Sequence, residues 1–391
     1  MERSGLTLFI NNGWYLPALS GGDLHVMEVA TRWAQTRSVG IAMPGWAYRL
    51  HSERLDGVRP FDTGRFEGAP PWPFAGVCLR WALRTVRLPS VRPTLVVAAS
   101  QYPYDLIPGL LVARRSGSPL VVYVNHLPSV LRHKARGGRL VAAWEPLAIR
   151  LLRQAALVLV DNHEVQRELA VGGVPADRIQ PTWHGTGWPP VGRTERRRPN
   201  EVVYCGRITD VKGWQDLVVV GDRLQKSCPG TLLRVLGEGE RRRDLDRAIS
   251  KRGLGDVVRT EGFVDDDTKW RALQRTAAFI SPSREEGWGI AVSEALSAGA
   301  DVVAYDLPAY RIHGDGRIHL VPRGDVDALA EQLVKVLRGQ ANDAQTLDLR
   351  SPSAATAMKS WDEIAWHERR LVDRLMTADH ADSDRIRELA Q

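Results

Sequence analysis

The sequence predicts an α/β protein with two Rossmann-like domains, each built on a doubly wound parallel sheet. A chain of 391 residues is long enough for two domains that each bury a core. Short apolar, β-branched runs alternate with helical stretches in two separate series along the chain. Strands that are covered by helices on both faces show such continuous apolar runs. A segment rich in proline and charge separates the two series and cannot build a core.

The two series define the predicted domains and their strands. Residues 1–188 are predicted as an N-terminal domain, 189–200 as a linker and 201–358 as a C-terminal domain. The predicted strands are 8–10, 95–98, 120–124 and 157–160, and then 202–205, 232–236, 278–280, 302–304 and 318–321. Apolar residues at helical spacing follow Pro352. They predict a C-terminal helix pair over residues 359–391, which we expect to cross back to the N-terminal domain.

Charge is unevenly distributed along the chain. The net charge is +7, and residues 1–200 carry 25 Lys and Arg against 14 Asp and Glu. Between Arg80 and Arg153 there are twelve basic residues and two acids, interleaved with tryptophan and leucine. This composition fits an anionic membrane surface or an anionic acceptor, and it fits solvated helix faces equally well. No nucleic-acid-binding motif accompanies the charge, so we expect no nucleic-acid partner.

Cysteine usage and hydropathy indicate a cytoplasmic protein. The three cysteines are widely spaced and form no cluster with histidine, so the sequence predicts neither a metal site nor a disulfide framework. No run of about 20 apolar residues exists that would cross a membrane. We expect the chain to lie in the cytoplasm, either free or peripherally at the inner membrane face.

Two cations follow the first strand of the second series. Gly206 and Arg207 come directly after the apolar run 202–205, and Lys212 follows where the next helix should begin. Ligands of open α/β sheets bind at the carboxyl ends of the strands. A guanidinium and an ammonium group beside a helix N-terminus suit a diphosphate. The sequence therefore predicts that Arg207 and Lys212 hold phosphate.

Two glutamates eight positions apart form the second candidate block. Glu286 precedes Gly287, Trp288 and Gly289, whose backbone can approach a ligand closely, and Glu294 falls in the second turn of the following helix. Side chains on a helix lean toward its amino end, so both carboxylates can meet one ligand and accept hydrogen bonds from hydroxyls. A ligand that carries sugar hydroxyls and a diphosphate is a nucleotide sugar.

These blocks are part of an ordered set of motifs. Gly-Arg-x4-Lys-Gly is followed by Gly237-Glu-Gly239, Glu261-Gly-Phe-Val264 and Pro282-Ser-Arg-Glu-Glu-Gly-Trp-Gly with Glu294. The set resembles the large family of retaining glycosyltransferases of GT-B fold, glycosyltransferase family 4 or glycosyl transferases group 1, which includes relatives of sucrose and glycogen synthase. The resemblance spans nearly the whole chain and implies two Rossmann-like domains facing across a cleft.

The resemblance also implies residue roles. Arg207 and Lys212 would hold the donor diphosphate, Glu286 would contact the transferred sugar, and Glu294 would contact the ribose. In the first domain, His126 would lie near the sugar. The remaining donor-binding positions implied are Gly21, Gly22, Gly206, Gly237, Val264, Gly287, Trp288 and Gly289.

Some positions depart from the family pattern. Leu307-Pro-Ala-Tyr310 stands where the family usually has a glycine pair, and a tyrosine there would fill donor space. His184-Gly185 replaces the usual Asn-Gly before the linker, and Asp301 stands where proline is common. These departures bear on donor identity more than on fold.

The function predicted from these motifs is transfer of a hexose from a UDP- or GDP-sugar to an acceptor hydroxyl. Retention of configuration is implied by the resemblance. No Asp-x-Asp motif appears, and two side-chain cations would neutralise the diphosphate, so we expect a metal-independent reaction without a further cofactor. Two alternatives are a sugar-nucleotide epimerase of GT-B fold and a non-catalytic scaffold at a membrane or nucleic acid. A nicotinamide dehydrogenase is disfavoured, because Gly-x-Gly-x-x-Gly is missing after the first strand.

Overall fold

The structure is a computed structural model. It describes residues 5–12, 20–64, 92–125, 127, 138–186, 197–311, 313, 316–340 and 359–389, with the backbone alone for 138–142 and 378–389. The described chain divides into two compact units, residues 1–185 with 361–391 and residues 186–360.

The first unit contains a sheet of seven parallel strands in the order β3-β2-β1-β4-β5-β6-β7. The strands are β1 Thr7–Ile10, β2 Val39–Met43, β3 Arg59–Asp62, β4 Leu95–Ala98, β5 Leu120–Val124, β6 Leu157–Val160 and β7 Ile179–Pro181. The helices described in this unit are α1 Gly21–Ala34, α2 Gly45–Leu50, α3 Pro103–Ser116, α4 Gly138–Leu152, α5 His163–Val171 and the C-terminal α12 Trp361–Leu389. Two short 3₁₀ turns lie at Ser52–Arg54 and Ala176–Arg178.

The second unit contains a sheet of six parallel strands in the order β10-β9-β8-β11-β12-β13. The strands are β8 Arg198–Cys205, β9 Leu232–Leu236, β10 Val258–Gly262, β11 Thr276–Ser281, β12 Asp301–Tyr305 and β13 Ile318–Val321. The described helices are α6 Trp214–Ser227, α7 Arg242–Lys251, α8 Asp266–Arg275, α9 Ile290–Ser297, α10 Pro308–Arg311 and α11 Val326–Leu337. The prediction of two doubly wound parallel sheets is confirmed.

Each sheet buries apolar residues on both faces. In the first unit Phe9 belongs to one core cluster with Trp33 of α1, and Leu8 and Ile10 belong to another with Leu106 of α3. In the second unit Val202 and Val203 divide between two clusters in the same way. Neighbouring strand residues point to opposite faces, so the continuous apolar runs follow from the two helix layers.

The start of strand β8 and the form of the C-terminal segment differ from the sequence prediction. Strand β8 begins at Arg198, inside the segment 189–200 predicted as a linker, because Arg198 pairs with Thr276 of β11. The C-terminal segment is helical, but its described part is one helix of 29 residues where a helix pair was predicted. In the described part of the chain, no helix is long and apolar enough to cross a membrane.

Candidate active site

The strand order places the predicted phosphate and sugar residues at one point of the second sheet. Strands β8 and β11 are neighbours, and the chain leaves them in opposite directions along the sheet, toward β9 and toward β12. Such a switch point opens a crevice at the carboxyl ends of the strands. The turn after β8 carries Arg207 and Lys212, and the turn after β11 carries Glu286. The candidate site therefore lies where this fold class binds ligands.

Lys212 and Glu286 form a direct ion pair. Lys212 Nζ lies 2.6 Å from Glu286 Oε1, and the side chains are 21% and 16% exposed. The hydroxyl of Tyr310 lies 3.4 Å from the same carboxylate oxygen. The two side chains are thus accessible and already oriented toward each other. The structure brings together the predicted phosphate ligand and the predicted sugar ligand.

The two turns are held together by Arg284, which the sequence analysis did not single out. Its backbone N–H donates to Val211 O at 2.8 Å, and its guanidinium lies 2.9 Å from Asp216 Oδ2 in helix α6. Tyr305 Oη donates to the same oxygen at 2.8 Å. These bonds fix the turn after β11 against the start of α6, where Lys212 emerges. Its position in the Pro-Ser-Arg-Glu-Glu run was the only signal available in the sequence.

Arg207 presents a free cation. Its side chain is exposed, and it forms no ion pair within the described residues. Its backbone is held, because Tyr204 Oη donates to Arg207 O at 2.9 Å. Burial and the nearby charge of Glu286 raise the pKa of Tyr204, so this phenol stays protonated as a donor. A fixed backbone with an unpaired guanidinium suits an incoming anion.

Gly206 and Gly237 allow the turns after β8 and β9 to pack against each other. Gly206 N donates to Leu236 O at 3.0 Å, and Ile208 N donates to Glu238 O at 3.0 Å. Gly237 has φ +135°, and a Cβ there would lie 2.1 Å from Gly206 O. Any other residue at Gly237 would push the Arg207 turn away, so this glycine is required by packing.

Glu294 is bound by a residue that the sequence analysis missed. In helix α9 its carboxylate Oε1 lies 2.6 Å from Lys269 Nζ of helix α8, and the side chains are 8% and 15% exposed. Burial lowers the pKa of Lys269, but the charges of Glu294 and Asp266 and the hydrogen bond to Glu294, taken together with the nearby Cys205, outweigh burial, and the net shift is upward. This leaves a fixed charge pair. Lys269 gave no motif signal, since it is one lysine in a polar helix.

Trp288 belongs to the core rather than to an open ligand surface. Its side chain is 4% exposed, and its ring packs edge-on against His313 at 5.2 Å between centroids. His313 Nε2 lies 3.1 Å from Trp288 O. The indole is therefore buried, and donor binding at Trp288, which the sequence assigned to the backbone of this turn, stays a prediction. Val264 is half-buried and packs against an apolar cluster of the same unit.

Tyr310 lies beneath the candidate site, and its filling of donor space stays a prediction. It is fully buried, and its hydroxyl lies 2.7 Å from Ser281 Oγ. Its ring packs beneath Gly289, where a Cβ would lie 2.4 Å from Tyr310 Cε1. The tyrosine supports the Gly287–Gly289 turn from below and reaches Glu286 only with its hydroxyl.

In the first unit, Gly21 and Gly22 are the first two residues of helix α1. Ser20 caps this helix and forms a capping box with Asp23. A Cβ at Gly22 would lie 2.8 Å from Asn125 Nδ2, which follows β5. His126, predicted near the sugar, lies outside the described residues, as do residues 80–91 and 128–137 of the basic region between Arg80 and Arg153.

The described residues contain no group of three or more His, Cys, Asp and Glu side chains that would hold a metal ion. Burial raises the pKa of the Cys205 thiol to about 12, so it stays protonated. The charged groups of the candidate site, at the carboxyl ends of the strands of the second sheet, include Arg207, Lys212 and Glu286, and the pair Lys269 and Glu294.

The fold and this site define a class of protein. Anabaena Alr3699/HepE, solved in complex with UDP and glucose, has a TM-score of 0.69 and 18% identity over 95% of this chain and 100% of its own. The sucrose-phosphate synthase (tll1590) from Thermosynechococcus elongatus has a TM-score of 0.71 and 17% identity, covering 96% and 100%. The chain has the GT-B fold of these structures.

Sequence comparison matches part of the chain to a known family. Residues 192–350 match the model of the family described as Glycosyl transferases group 1. The match covers most of the second unit, in the region of the ordered motifs, and less than half of the chain.

Two curated relatives match parts of the chain. The 2-deoxystreptamine N-acetyl-D-glucosaminyltransferase of Streptomyces fradiae is 30% identical over 263 residues, which are 61% of this chain and 61% of the relative. The phosphatidyl-myo-inositol mannosyltransferase of Mycobacterium leprae (strain TN) is 33% identical over 170 residues, or 42% of this chain and 43% of the relative. The chain therefore matches between about two fifths and three fifths of these relatives' lengths.

Proposed function

We propose that the protein is a retaining glycosyltransferase that transfers a hexose from a nucleoside-diphosphate sugar to an acceptor hydroxyl. The observation that carries the proposal is the contact of 2.6 Å between Lys212 Nζ and Glu286 Oε1 at the switch point of the second sheet. It pairs a cation suited to a diphosphate with a carboxylate suited to sugar hydroxyls. The names of the relatives, which are all sugar transferases, support the same class of reaction.

The charges of the site fit the charge that develops during transfer. When the bond between the sugar and the diphosphate breaks, negative charge grows on the leaving phosphate and positive charge on the anomeric carbon. Preorganised cations stabilise such a leaving group, and one such contact contributes about 3 kcal/mol, or about a hundredfold in rate. We assign this role to Arg207 and Lys212. Two side-chain cations neutralise the diphosphate, so the proposed reaction requires no metal.

The carboxylates would orient the donor. Glu286, exposed by 16%, would accept hydrogen bonds from hydroxyls of the transferred sugar, and its negative charge would stabilise the positive charge that develops on the anomeric carbon. Glu294 would accept from the ribose, held in place by Lys269. Roles for Gly21, Gly22 and His126 in contacting the donor stay predictions. Retention of configuration rests on the family resemblance.

We also propose the nucleotide base of the donor and the chemical class of the acceptor. Alr3699/HepE binds UDP-glucose, which favours a uridine nucleotide over a guanosine nucleotide. The relatives named above act on an aminocyclitol and on a phosphatidyl lipid. We favour the lipid-linked, anionic class for this chain because of the basic region between Arg80 and Arg153, which would hold the protein at the inner membrane face. Sedimentation with anionic vesicles tests this choice, and binding that survives neutralisation of Arg132, Lys134, Arg136 and Arg139 contradicts it.

A nucleotide-sugar panel tests the proposed reaction. The melting temperature of the wild-type protein should rise with one nucleotide sugar, because a ligand that binds only the folded state stabilises it. Release of the nucleoside diphosphate, measured with that donor, should fall about a hundredfold in Lys212→Ala. The control is Lys226→Ala, an exposed lysine at the far end of helix α6. Equal turnover in both variants, or a panel without any stabilising nucleotide sugar, contradicts the proposal.

A further inference from the structure

A second charged cavity lies in the same unit, away from the switch point. Its volume is about 600 Å³, within the range of small-molecule sites. The lining residues are Arg198, Glu201, Leu232, Arg234, Arg259, Thr260, Glu261 and Arg275. Arg198, Glu201 and Leu232 belong to the amino-terminal halves of β8 and β9, whereas Arg207 and Lys212 follow the carboxyl end of β8. The cavity is therefore separate from the candidate active site.

Arg234 lines this cavity, and its side chain is held in place by two glutamates. Its guanidinium donates to both carboxylate oxygens of Glu261, at 2.6 and 2.7 Å, and to Glu201 Oε1 at 3.0 Å. The hydrogen bond to Arg234 is the main cause that lowers the pKa of Glu261, so this carboxylate stays ionised. Glu201 is 4% exposed. Bidentate arginine pairs of this kind hold their geometry well.

Arg259 lies near Glu261, and its charge helps to lower the pKa of that carboxyl, but it forms no direct ion pair in this network. It is directly opposite Arg234 on the neighbouring parallel strand, at a strand spacing of about 4.8 Å. Two like charges in such positions destabilise a sheet. Arg234 is neutralised by its two glutamates, but Arg259 is exposed and forms no ion pair among the residues described. A sheet position that costs stability and leaves a free guanidinium suits an external anion.

The lining as a whole has an excess of positive charge. Four guanidinium groups stand against two carboxylates; both carboxylates bind Arg234, and Glu201 also lies 3.5 Å from Arg198. Leu232 is the one apolar residue of the lining. Guanidinium groups match the oxygens of a phosphate in fork geometry. We propose that this cavity binds the phosphate group of a phosphorylated small molecule, with Arg259 as its principal ligand and Arg198 and Arg275 at the rim.

Binding measurements with three probes test the site. Calorimetric titration of the full chain should show saturable binding of a hexose phosphate or of inorganic phosphate, and none of the uncharged hexose. The first two probes distinguish a ligand with a sugar body from phosphate alone. In Arg259→Ala affinity should fall about tenfold, which is the typical loss of one hydrogen bond to a charged group. Arg252→Ala is the matched control, because Arg252 is an exposed arginine paired with Asp222 outside the cavity.

A further variant separates this site from the active site. Lys212→Ala with Arg207→Ala removes the cations proposed for the donor diphosphate, and phosphate binding at the cavity should survive that change. Binding that disappears there and persists in Arg259→Ala would locate the anion in the active site and overturn the proposal. Equal affinity in Arg259→Ala and Arg252→Ala, or no saturable binding to the wild type, would also overturn it. A melting curve for each variant shows that it is folded.

Discussion

His25 Nε2 lies 2.8 Å from Glu368 Oε1, although 343 positions separate the two residues in the chain. Glu368 is fully buried in helix α12, and its carboxylate also accepts from Tyr123 Oη at 2.5 Å and from Thr182 Oγ1. His25 Nδ1 lies 3.3 Å from His184 Nδ1. A buried polar network thus joins α1, β5 and the segment after β7 to the C-terminal helix within the first unit.

We expect Glu368→Gln to destabilise the first unit strongly. The amide that replaces the carboxylate cannot accept all three hydrogen bonds from His25, Tyr123 and Thr182, and leaving a buried polar group unsatisfied costs about 1–3 kcal/mol. Chemical unfolding followed by tryptophan fluorescence measures the loss, since Trp361 is buried in the same helix. Glu363→Gln is the control, because Glu363 is exposed in the same helix. Equal unfolding midpoints for the two variants would contradict this prediction.

Protonation of Glu368 should lower the stability of the first unit at acid pH. Burial raises the pKa of Glu368, but the charge of His25 and three hydrogen bonds outweigh burial, and the net shift is below its usual 4.5. A group whose pKa is lowered by folding contributes stability above its unfolded pKa, and that contribution is lost as the pH falls through the folded value. The difference in stability between the wild type and Glu368→Gln should therefore shrink below about pH 4.5.

Asp105 should have the opposite pH dependence. It is buried at the start of helix α3, accepting from Asn12 N at 2.7 Å and from Ser100 Oγ at 2.6 Å. Burial raises its pKa to about 8 against these hydrogen bonds. The folded state then holds a proton that the unfolded state has lost, so stability is highest at low pH and falls as the pH rises toward 8, by at most about 1.4 kcal/mol per pH unit.

Asp105→Asn tests this assignment. The amide is neutral at every pH and has nearly the same shape, so the variant should lose the fall in stability between about pH 4 and 8. Urea unfolding at several pH values in that window gives the slopes. Asp177→Asn serves as control, since Asp177 is exposed in a short 3₁₀ turn. Parallel slopes for Asp105→Asn and the wild type would show that Asp105 is ionised in the folded protein.

The interior strands were predictable from the sequence, except β2. Of the four edge strands, β13 was predicted, whereas β3, β7 and β10 were missed. Runs such as 120–124 and 232–236 match β5 and β9 to the residue, because strands covered on both faces carry uninterrupted apolar sequence. Strand β3 was missed because it lies at an edge of its sheet and reads Arg-Pro-Phe-Asp. Strand β10 was missed for the same reason, with Arg259, Thr260 and Glu261 in its middle.

The candidate site divides in a similar way. Arg207, Lys212 and Glu286 were found because glycines and strand ends surround them within short motifs. Lys269 was missed, since only tertiary packing brings helix α8 to Glu294. Trp288 was assigned to the donor site together with its neighbouring glycines, and the structure shows that its ring packs on His313, which the motif does not include. Local motifs thus locate a turn, and packing decides which side chains of that turn are exposed.

Lys269 should act on donor binding as a positioning residue. Its ammonium holds Glu294 at 2.6 Å, and Glu294 is proposed to contact the ribose. In Lys269→Met the donor KM should rise about tenfold, the usual effect of losing one charged hydrogen bond, with a smaller change in kcat. Lys269→Arg should restore much of the affinity. Lys251→Met, at the exposed end of helix α7, is the control. A loss in kcat alone would contradict the positioning role.

Gly289 and Gly230 provide a matched pair for the packing beneath Glu286. Both have positive φ, +83° and +82°, so an alanine causes similar backbone strain at either position. The space around them differs. A Cβ at Gly289 would lie 2.4 Å from Tyr310 Cε1, whereas a Cβ at Gly230 meets nothing within 4 Å. The difference between the two alanine variants therefore isolates the contact with Tyr310.

We expect Gly289→Ala to be less stable than Gly230→Ala by about 1–3 kcal/mol, the usual cost of overpacking a core. Tyr310 cannot move away from the added methyl group easily, because its hydroxyl is hydrogen-bonded to Ser281 Oγ at 2.7 Å. Its displacement would also shift the hydroxyl that lies 3.4 Å from Glu286, so turnover should fall in Gly289→Ala and stay unchanged in Gly230→Ala. Chemical unfolding and donor turnover measure the two effects. If both variants unfold at the same denaturant concentration, the loop accommodates the methyl group and Tyr310 does not support it.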